Sequence, residues 1–309
     1  MIKKVILKIK SGSSLYGTRT PQSDTDYIGV FIPQDDYIVG LQHIEQVEEN
    51  VVDKINGKNT KDAVDCTYYE LRRFLSLCLQ GNPNVVEVLF VNEENIVEIT
   101  EEGRSLLELK NAFLSEKLIN NTYGYIKSML KKLDTRQSTL DSLTTLIDRI
   151  KSSDIPYTEP IAKIEDNIKD LVKIDKYQYS IGKYHIQRNG TINNALKQLT
   201  DIYSSFTNRK ELYSKYGYDT KSAHHIARLY YQIKELLAEQ KINYPLKYSK
   251  KLIEIKTGKI DYDEFMILNE YLRTECEMLE KESSLPKKPN FNLVNNWCKE
   301  VLIKNLQKD

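Results

Sequence analysis

Cysteine is scarce. The four among 309 residues, Cys66, Cys78, Cys276 and Cys298, lie far apart with no CxxC pair. That spacing builds neither a compact disulfide framework nor a short-spaced zinc site, and it suits a reducing compartment. Turn formers are scarce too: 12 glycines and 8 prolines, about half of average usage. The shortage disfavours an all-β protein and favours long helices. No apolar run reaches the ~18 residues that a membrane span needs. The short apolar opening, MIKKVILKIK, is broken by Lys8 and Lys10, unlike the core of a signal peptide. Gly12 and Gly17 have the spacing of a Walker phosphate loop, but Thr18 stands where that loop needs lysine, and no GxGxxG occurs. The net charge of +1 argues against a strongly basic nucleic-acid binder. The expectation is a cytoplasmic protein with no membrane association.

What remains is ample material for a core. Hydrophobic residues make up 40% and charged residues 29%, which excludes disorder as the main state. The length points to two domains, or one with a long extension. The charge is unevenly spread. Residues 1–110 hold 12 Lys/Arg against 18 Asp/Glu, a balance of −6, and the remainder holds 33 against 26, or +7. An acidic part joined to a basic part is compatible with a metal site facing a region that holds phosphates, and equally with solvated helix faces.

Strand patterns cluster at the N-terminal end. Residues 2–10 alternate apolar and polar, and Tyr27–Pro33 is a second strand stopped by proline. Ala63–Thr67 is a short third. Leu71, Phe74, Leu75 and Cys78 then fall at i, i+3, i+4 and i+7 of a helix, which Gly81-Asn82-Pro83-Asn84 ends. From about residue 105 strand signals fade. Helices are expected over 111–133, 190–215, 220–240, 260–282 and around Trp297, with a charged, helically spaced stretch at 134–180. The predicted fold class is α+β: a small mixed β-sheet domain flanked by helices over 1–110, then a mainly α-helical domain over 111–309. The 134–180 stretch is a candidate insertion.

The most informative segment is Ser11-Gly12-Ser13-Ser14-Leu15-Tyr16-Gly17-Thr18, followed by Ser23-Asp24-Thr25-Asp26. Asp24 and Asp26 stand at i and i+2 at the head of a strand pattern, so both carboxylates project to one face. Two hard oxygen ligands on one face can share divalent magnesium. A Gly-Ser turn after the first strand can bring backbone and hydroxyl donors close to a triphosphate, because glycine permits close approach. Asp65 on a neighbouring strand would complete a two-metal site, and Asp62 is its competitor. Ser-Asp-x-Asp can also simply mark a turn or a helix cap.

A second constellation lies further on. Lys221, His225 and Arg228 fall at i, i+4 and i+7 and line one helix face. Lysine offers a compact charge and arginine a fork for phosphate oxygens. The alternatives are a solvated basic face, and for His225 a hydrogen-bonded structural role. Asn82 reads as a cap or turn residue and Glu87 as the partner of a nearby base, with a catalytic role as the alternative for both. The 21 tyrosines, Tyr123, Tyr125, Tyr177, Tyr179 and Tyr184 among them, could stack on bases or pack with wet hydroxyls.

SGSSLYGTRTPQSDTDYIGVFIP resembles the signature of the DNA polymerase β-type nucleotidyltransferase superfamily, and more closely that of the RNA-repair-associated, RlaP-type nucleotidyltransferases. Further blocks are similar to that family in the same order: Leu71–Leu75 running into Gly81–Phe90, then Tyr216–Leu229, Ile255–Lys259 and Leu285–Pro289. Ile28 stands where relatives commonly carry a basic residue. The resemblance implies transfer of a nucleoside monophosphate from an NTP to a hydroxyl, with release of pyrophosphate. Asp24, Asp26 and Asp65 would hold two magnesium ions, with manganese as an alternative. Gly12 and Ser13 would meet the β- and γ-phosphates. Lys221, with His225 and Arg228 beside it, would face the triphosphate. The implied acceptor is an RNA 3′ end, such as that of a damaged tRNA. A protein hydroxyl receiving AMP, or an inactive nucleotide- or RNA-binding module, are the competing readings.

Overall fold

The computed structural model describes residues 1–309 other than 22, 52–53, 56–57, 60–63, 206–211, 213–214 and 308–309. The chain opens with β1 (Ile2–Lys10), a short helix α1 (Gly12–Tyr16), β2 (Thr25–Pro33) and a helical turn α2 (Asp36–Val39). Next come β3 (Gln46–Val51), a pair of two-residue strands β4 (Lys54–Ile55) and β5 (Lys58–Asn59), and β6 (Val64–Glu70). Helices α3 (Leu71–Leu79) and α4 (Pro83–Val86), β7 (Ile96–Ile99) and α5 (Glu101–Glu108) complete this part.

Five strands form one mixed sheet in the order β3-β6-β2-β1-β7. β2 and β6 run parallel; the other neighbours are antiparallel. The sheet separates two kinds of residue by parity. Tyr27 and Phe31 of β2 join Cys66 and Tyr68 of β6 in one apolar cluster. The alternate residues, Asp26, Ile28, Val30 and Ile32 of β2 and Asp65 and Thr67 of β6, point to the opposite face. Val30, Phe31 and Ile32 are all buried, as expected of a strand covered on both faces. β2 starts at Thr25, two residues before the alternation alone would place it, and therefore carries Asp26 within the sheet.

α3 follows the sequence pattern. Leu71, Phe74, Leu75 and Cys78 are its buried residues, and Glu70 caps it by accepting a hydrogen bond from the Arg73 backbone N–H. Gly81 takes φ +76°, and Asn82 caps α4 with Pro83 in its first turn.

Beyond residue 115 the chain is mainly helical: α6 (Glu116–Lys151), α7 (Glu165–Ile168), α8 (Ile192–Ser205), α9 (Thr220–Glu239), α10 (Ser249–Lys256), α11 (Tyr262–Lys281) and α12 (Phe291–Leu306). One departure from the sequence reading lies at 173–187. Three short strands, β8 (Lys173–Ile174), β9 (Gln178–Ile181) and β10 (Tyr184–Gln187), form an antiparallel sheet there. Each is too brief to raise a period-2 signal above its charged neighbours. The available cue was the two-residue Gly182-Lys183 connection, where Gly182 supplies φ +56°.

The chain parts into two compact units: residues 1–126 with 224–254 and 266–309, and residues 127–223 with 255–265. The second has its own core, in which Leu143, Leu146 and Ile150 of α6 meet Ile161, Ile168, Tyr179, Ile186 and Leu199. The stretch 134–180 thus holds α6's second half together with part of a separately cored unit. No helix among the described residues is long and apolar enough to cross a membrane.

Candidate active site

Asp26 and Asp65 are paired residues of the two parallel strands, β2 and β6. Register partners in neighbouring strands lie ~4.8 Å apart and share a face, so the pairing sets the two carboxylates side by side. Asp24 precedes Asp26 by two residues and brings a third to the same place. One ligand oxygen from each of Asp24, Asp26 and Asp65 lies within 4.8 Å of the others. The set is all carboxylate and suits a hard, oxygen-seeking divalent cation. Asp62 lies outside the described residues.

α1 starts against this cluster. The Ser11 backbone N–H donates to the Asp26 carbonyl at 2.8 Å, fastening the turn to β2. Gly12 has φ +59°, and a Cβ built on it would lie 2.2 Å from Oδ2 of Asp26. Glycine is required here twice over: for the left-handed backbone and for the approach of the carboxylate. Gly17 closes α1 in the left-handed conformation. The Ser13 and Ser14 hydroxyls are buried without a hydrogen-bond partner among the described residues.

Tyr16, the last residue of α1, is held by a buried ion pair. Its hydroxyl donates to Glu87 Oε1 at 2.6 Å and accepts from Arg228 Nη1 at 2.8 Å. Arg228 is 1% exposed and pairs with Glu87, at 3%. Its guanidinium also donates to Asn84 Oδ1 at 2.9 Å and lies 4.4 Å from the centre of the Tyr16 ring. Gln232 donates to Glu87 Oε2 at 2.8 Å and to the Tyr244 hydroxyl at 3.0 Å. Burial pushes the Tyr16 phenol well above its ordinary value, with Glu87 adding to the effect against the opposing pull of Arg228. Tyr16 is therefore a neutral donor. The Gly-Ser turn is anchored at one end by the β2 backbone and at the other by a charged network.

The structure thus gathers Asp24, Asp26, Asp65, Gly12 and Ser13 about one end of the sheet. Arg228, on α9, has its guanidinium engaged with Glu87 and Asn84. His225 lies beside Arg228 Nη2, at 3.3 Å, with its ring edge-on to Tyr125 at 5.7 Å. Lys221 is exposed at the second position of α9, in the other unit. One cation was not singled out from the sequence. Arg19, exposed, donates to Thr25 Oγ1 at 3.4 Å, on the strand face opposite to Asp24 and Asp26. Its signal was a lone basic residue between the Gly-Ser turn and the Asp-x-Asp pair. The full set of contacts of Tyr16 had no local signal, because its partners lie 71 and 212 residues away in sequence.

A mixed five-stranded sheet that presents three carboxylates beside a Gly-Ser turn defines the class: a polymerase β-type nucleotidyltransferase domain. Residues 2–152 match the family described as "RlaP: RNA repair pathway DNA polymerase beta family"; that segment is a domain of this family. A protein of Enterobacteria phage T4, described as an uncharacterized 38.9 kDa protein in the nrdC-mobD intergenic region, is 22% identical over 345 aligned positions. The alignment covers 98% of this chain and 98% of the phage protein. No solved structure matches the chain.

Proposed function

We propose that the protein transfers a nucleoside monophosphate from an NTP to a hydroxyl acceptor, and that the acceptor is an RNA 3′ end, such as that of a tRNA. The observation that carries the transfer is the Asp26–Asp65 register pair, completed by Asp24 and packed against Gly12. Asp24, Asp26 and Asp65 would hold one or two magnesium or manganese ions. Bound there, such ions supply charge neutralisation at the phosphates and a lowered pKa for the attacking hydroxyl.

The residues of the chain account for the rest. The acceptor oxygen forms a bond to the α-phosphorus as the bond from that phosphorus to the β-bridging oxygen breaks, and pyrophosphate leaves. Asp65 takes the proton of the attacking hydroxyl. The Gly12 backbone and the unpartnered Ser13 hydroxyl contact the β- and γ-phosphates, where fixed donors stabilise charge without reorganising. On sequence grounds Lys221 offsets the charge that develops on pyrophosphate, with His225 near it in the helix. Arg228 serves by holding Tyr16, and through it the turn.

The RNA acceptor rests on the family's description and on the excess of basic residues after residue 110. The test is incubation with each α-labelled NTP, magnesium and a mixed RNA pool, beside the Asp24→Ala/Asp26→Ala double variant. Label in RNA that vanishes in the variant is the expected result and names the nucleotide. Label on protein instead would replace the acceptor, and label on neither would overturn the reading.

A further inference from the structure

A cleft of about 400 Å³ opens in the unit that carries the aspartates, bounded by the end of α3, the turn before α4 and the first half of α6. Its polar walls are Gln80, Asn82, Asn84 and Asn121, with Tyr125 at the rim. The lining contains no carboxylate, ammonium or guanidinium, so it brings no formal charge to pair with a phosphate or a metal ion. Its volume lies in the usual range for small-ligand sites, roughly 300–1,000 Å³.

The amides are held in place yet keep bonding capacity. Asn84 Oδ1 accepts from Arg228 at 2.9 Å and Asn82 Oδ1 accepts from the Asn84 backbone N–H at 3.1 Å. Each amide NH₂ is left to donate. Asn121 donates from Nδ2 to the Gln80 carbonyl, which leaves its Oδ1 to accept. Fixed amides with both donors and acceptors match the edge of a nucleobase, as side-chain amides do when they read adenine. Tyr125 is 39% exposed and its ring is braced edge-on by His225 at 5.7 Å. A braced, half-exposed aromatic ring is a stacking platform. Of the other tyrosines, Tyr179 is fully buried and donates to Glu165, and Tyr123 packs on Tyr230.

The helix wall carries one more mark. Gly124 sits inside α6, one turn beyond Asn121 and next to Tyr125, and a Cβ there would meet nothing within 4 Å. A helix-interior glycine costs about 0.5–1 kcal/mol relative to alanine, and no neighbour among the described residues demands this one.

From these observations we propose that the cleft binds a nucleobase, stacked on Tyr125 and read by Asn82, Asn84 and Asn121. Asn84 hangs from the same guanidinium that holds Tyr16, so the occupied cleft is joined by two hydrogen bonds to the Gly-Ser turn. The occupant follows from the cleft alone, whereas its service in transfer rests on the reading above.

The test uses the full chain in excess chelator, where no transfer can occur. Fluorescence anisotropy follows a labelled single-stranded RNA of about 12 nucleotides, the same strand made abasic, and competition by free ATP. Wild type is set beside Tyr125→Ala, Tyr125→Phe and Asn121→Leu. Tyr125→Ala is expected to weaken RNA or ATP binding on the order of 5- to 100-fold, Asn121→Leu to weaken it also, and Tyr125→Phe to restore it within about twofold. The abasic strand is expected to bind both wild type and Tyr125→Ala equally. A loss confined to RNA identifies the acceptor base, and a loss confined to ATP identifies the base of the nucleotide; both support the proposal. Wild-type binding by Tyr125→Ala and Asn121→Leu would overturn it, as would a loss that persists on the abasic strand. Asp24→Ala/Asp26→Ala is expected to keep RNA binding intact, which separates a failure of the cleft from a failure of the transferase reading.

Discussion

A methyl group on Gly12 has no room: Oδ2 of Asp26 already occupies a point 2.2 Å from it, and the φ of +59° is adverse to any other residue. Gly12→Ala therefore has two costs. Backbone strain of this kind is worth about 1–3 kcal/mol, and relief of the overlap would turn the Asp26 carboxylate away from its partners. The expected outcome is a lowered melting temperature together with about tenfold weaker Mn²⁺ binding by calorimetry, the scale of displacing a ligand's support. Wild-type Mn²⁺ binding by Gly12→Ala would show that the carboxylate does not serve a metal. At this scale much was legible. The i, i+2 spacing of Asp24 and Asp26 announced a shared face, and the glycine announced a close approach. What it approached was not legible, because the contact is made by a side chain 14 positions on and a strand away. Arg228 was harder still. On a helical projection it shares a face with Lys221 and His225, and only the positions of Glu87, Tyr16 and Asn84 turn it into a buried partner.

Among the elements, the clamp between β1 and α5 is open to a pH test. Lys4 Nζ donates to both carboxylate oxygens of Glu102, at 2.9 and 2.8 Å, and the Thr100 hydroxyl adds a bond at 2.8 Å. Burial opposes ionisation of Glu102, but these bonds outweigh it and hold the group down at about 2 from an ordinary 4.5. A carboxyl depressed in the folded state stabilises above its unfolded value and loses that contribution as pH falls through the folded one. The contribution is thus complete above about pH 4.5 and disappears between there and pH 2. Urea denaturation from pH 7 to pH 2.5 is expected to show Glu102→Gln with a flatter acid limb. The difference from wild type at neutral pH is roughly 1–3 kcal/mol, because Lys4 is partly exposed and its pairing partly screened. Parallel acid limbs in the two proteins would show that the pair is not what anchors α5. Elements of this size were read well where periodicity was sustained, as in β1, β2 and α3. They were missed where it was brief, as in β9 and β10, because two inward residues per strand are too few to stand out from chance alternation.

For the molecule as a whole, the second unit's separate core is the consequential feature. Leu146 of α6 is fully buried in it, among Ile161, Ile168, Tyr179 and Leu199. Leu146→Ala is expected to cost about 2–5 kcal/mol, read as faster amide exchange across 127–223, while Mn²⁺ binding by the native protein stays at the wild-type value. Weakened metal binding would show that the aspartate site depends on that core. The division of labour between sequence and tertiary structure follows from range. Composition and periodicity determined an α+β chain with strands first and helices after, since those signals arise among residues within a turn or two of each other. Asp24, Asp26 and Gly12 stood out because their spacing is itself local. Only the tertiary structure decided that Asp65 stands beside Asp26, because parallel register is set by a crossover of 30 residues, 34–63. It alone decided that Arg228 is buried and that Asn84 and Tyr125 border one cleft. Such juxtapositions depend on packing between distant segments, and no pattern among neighbours encodes them.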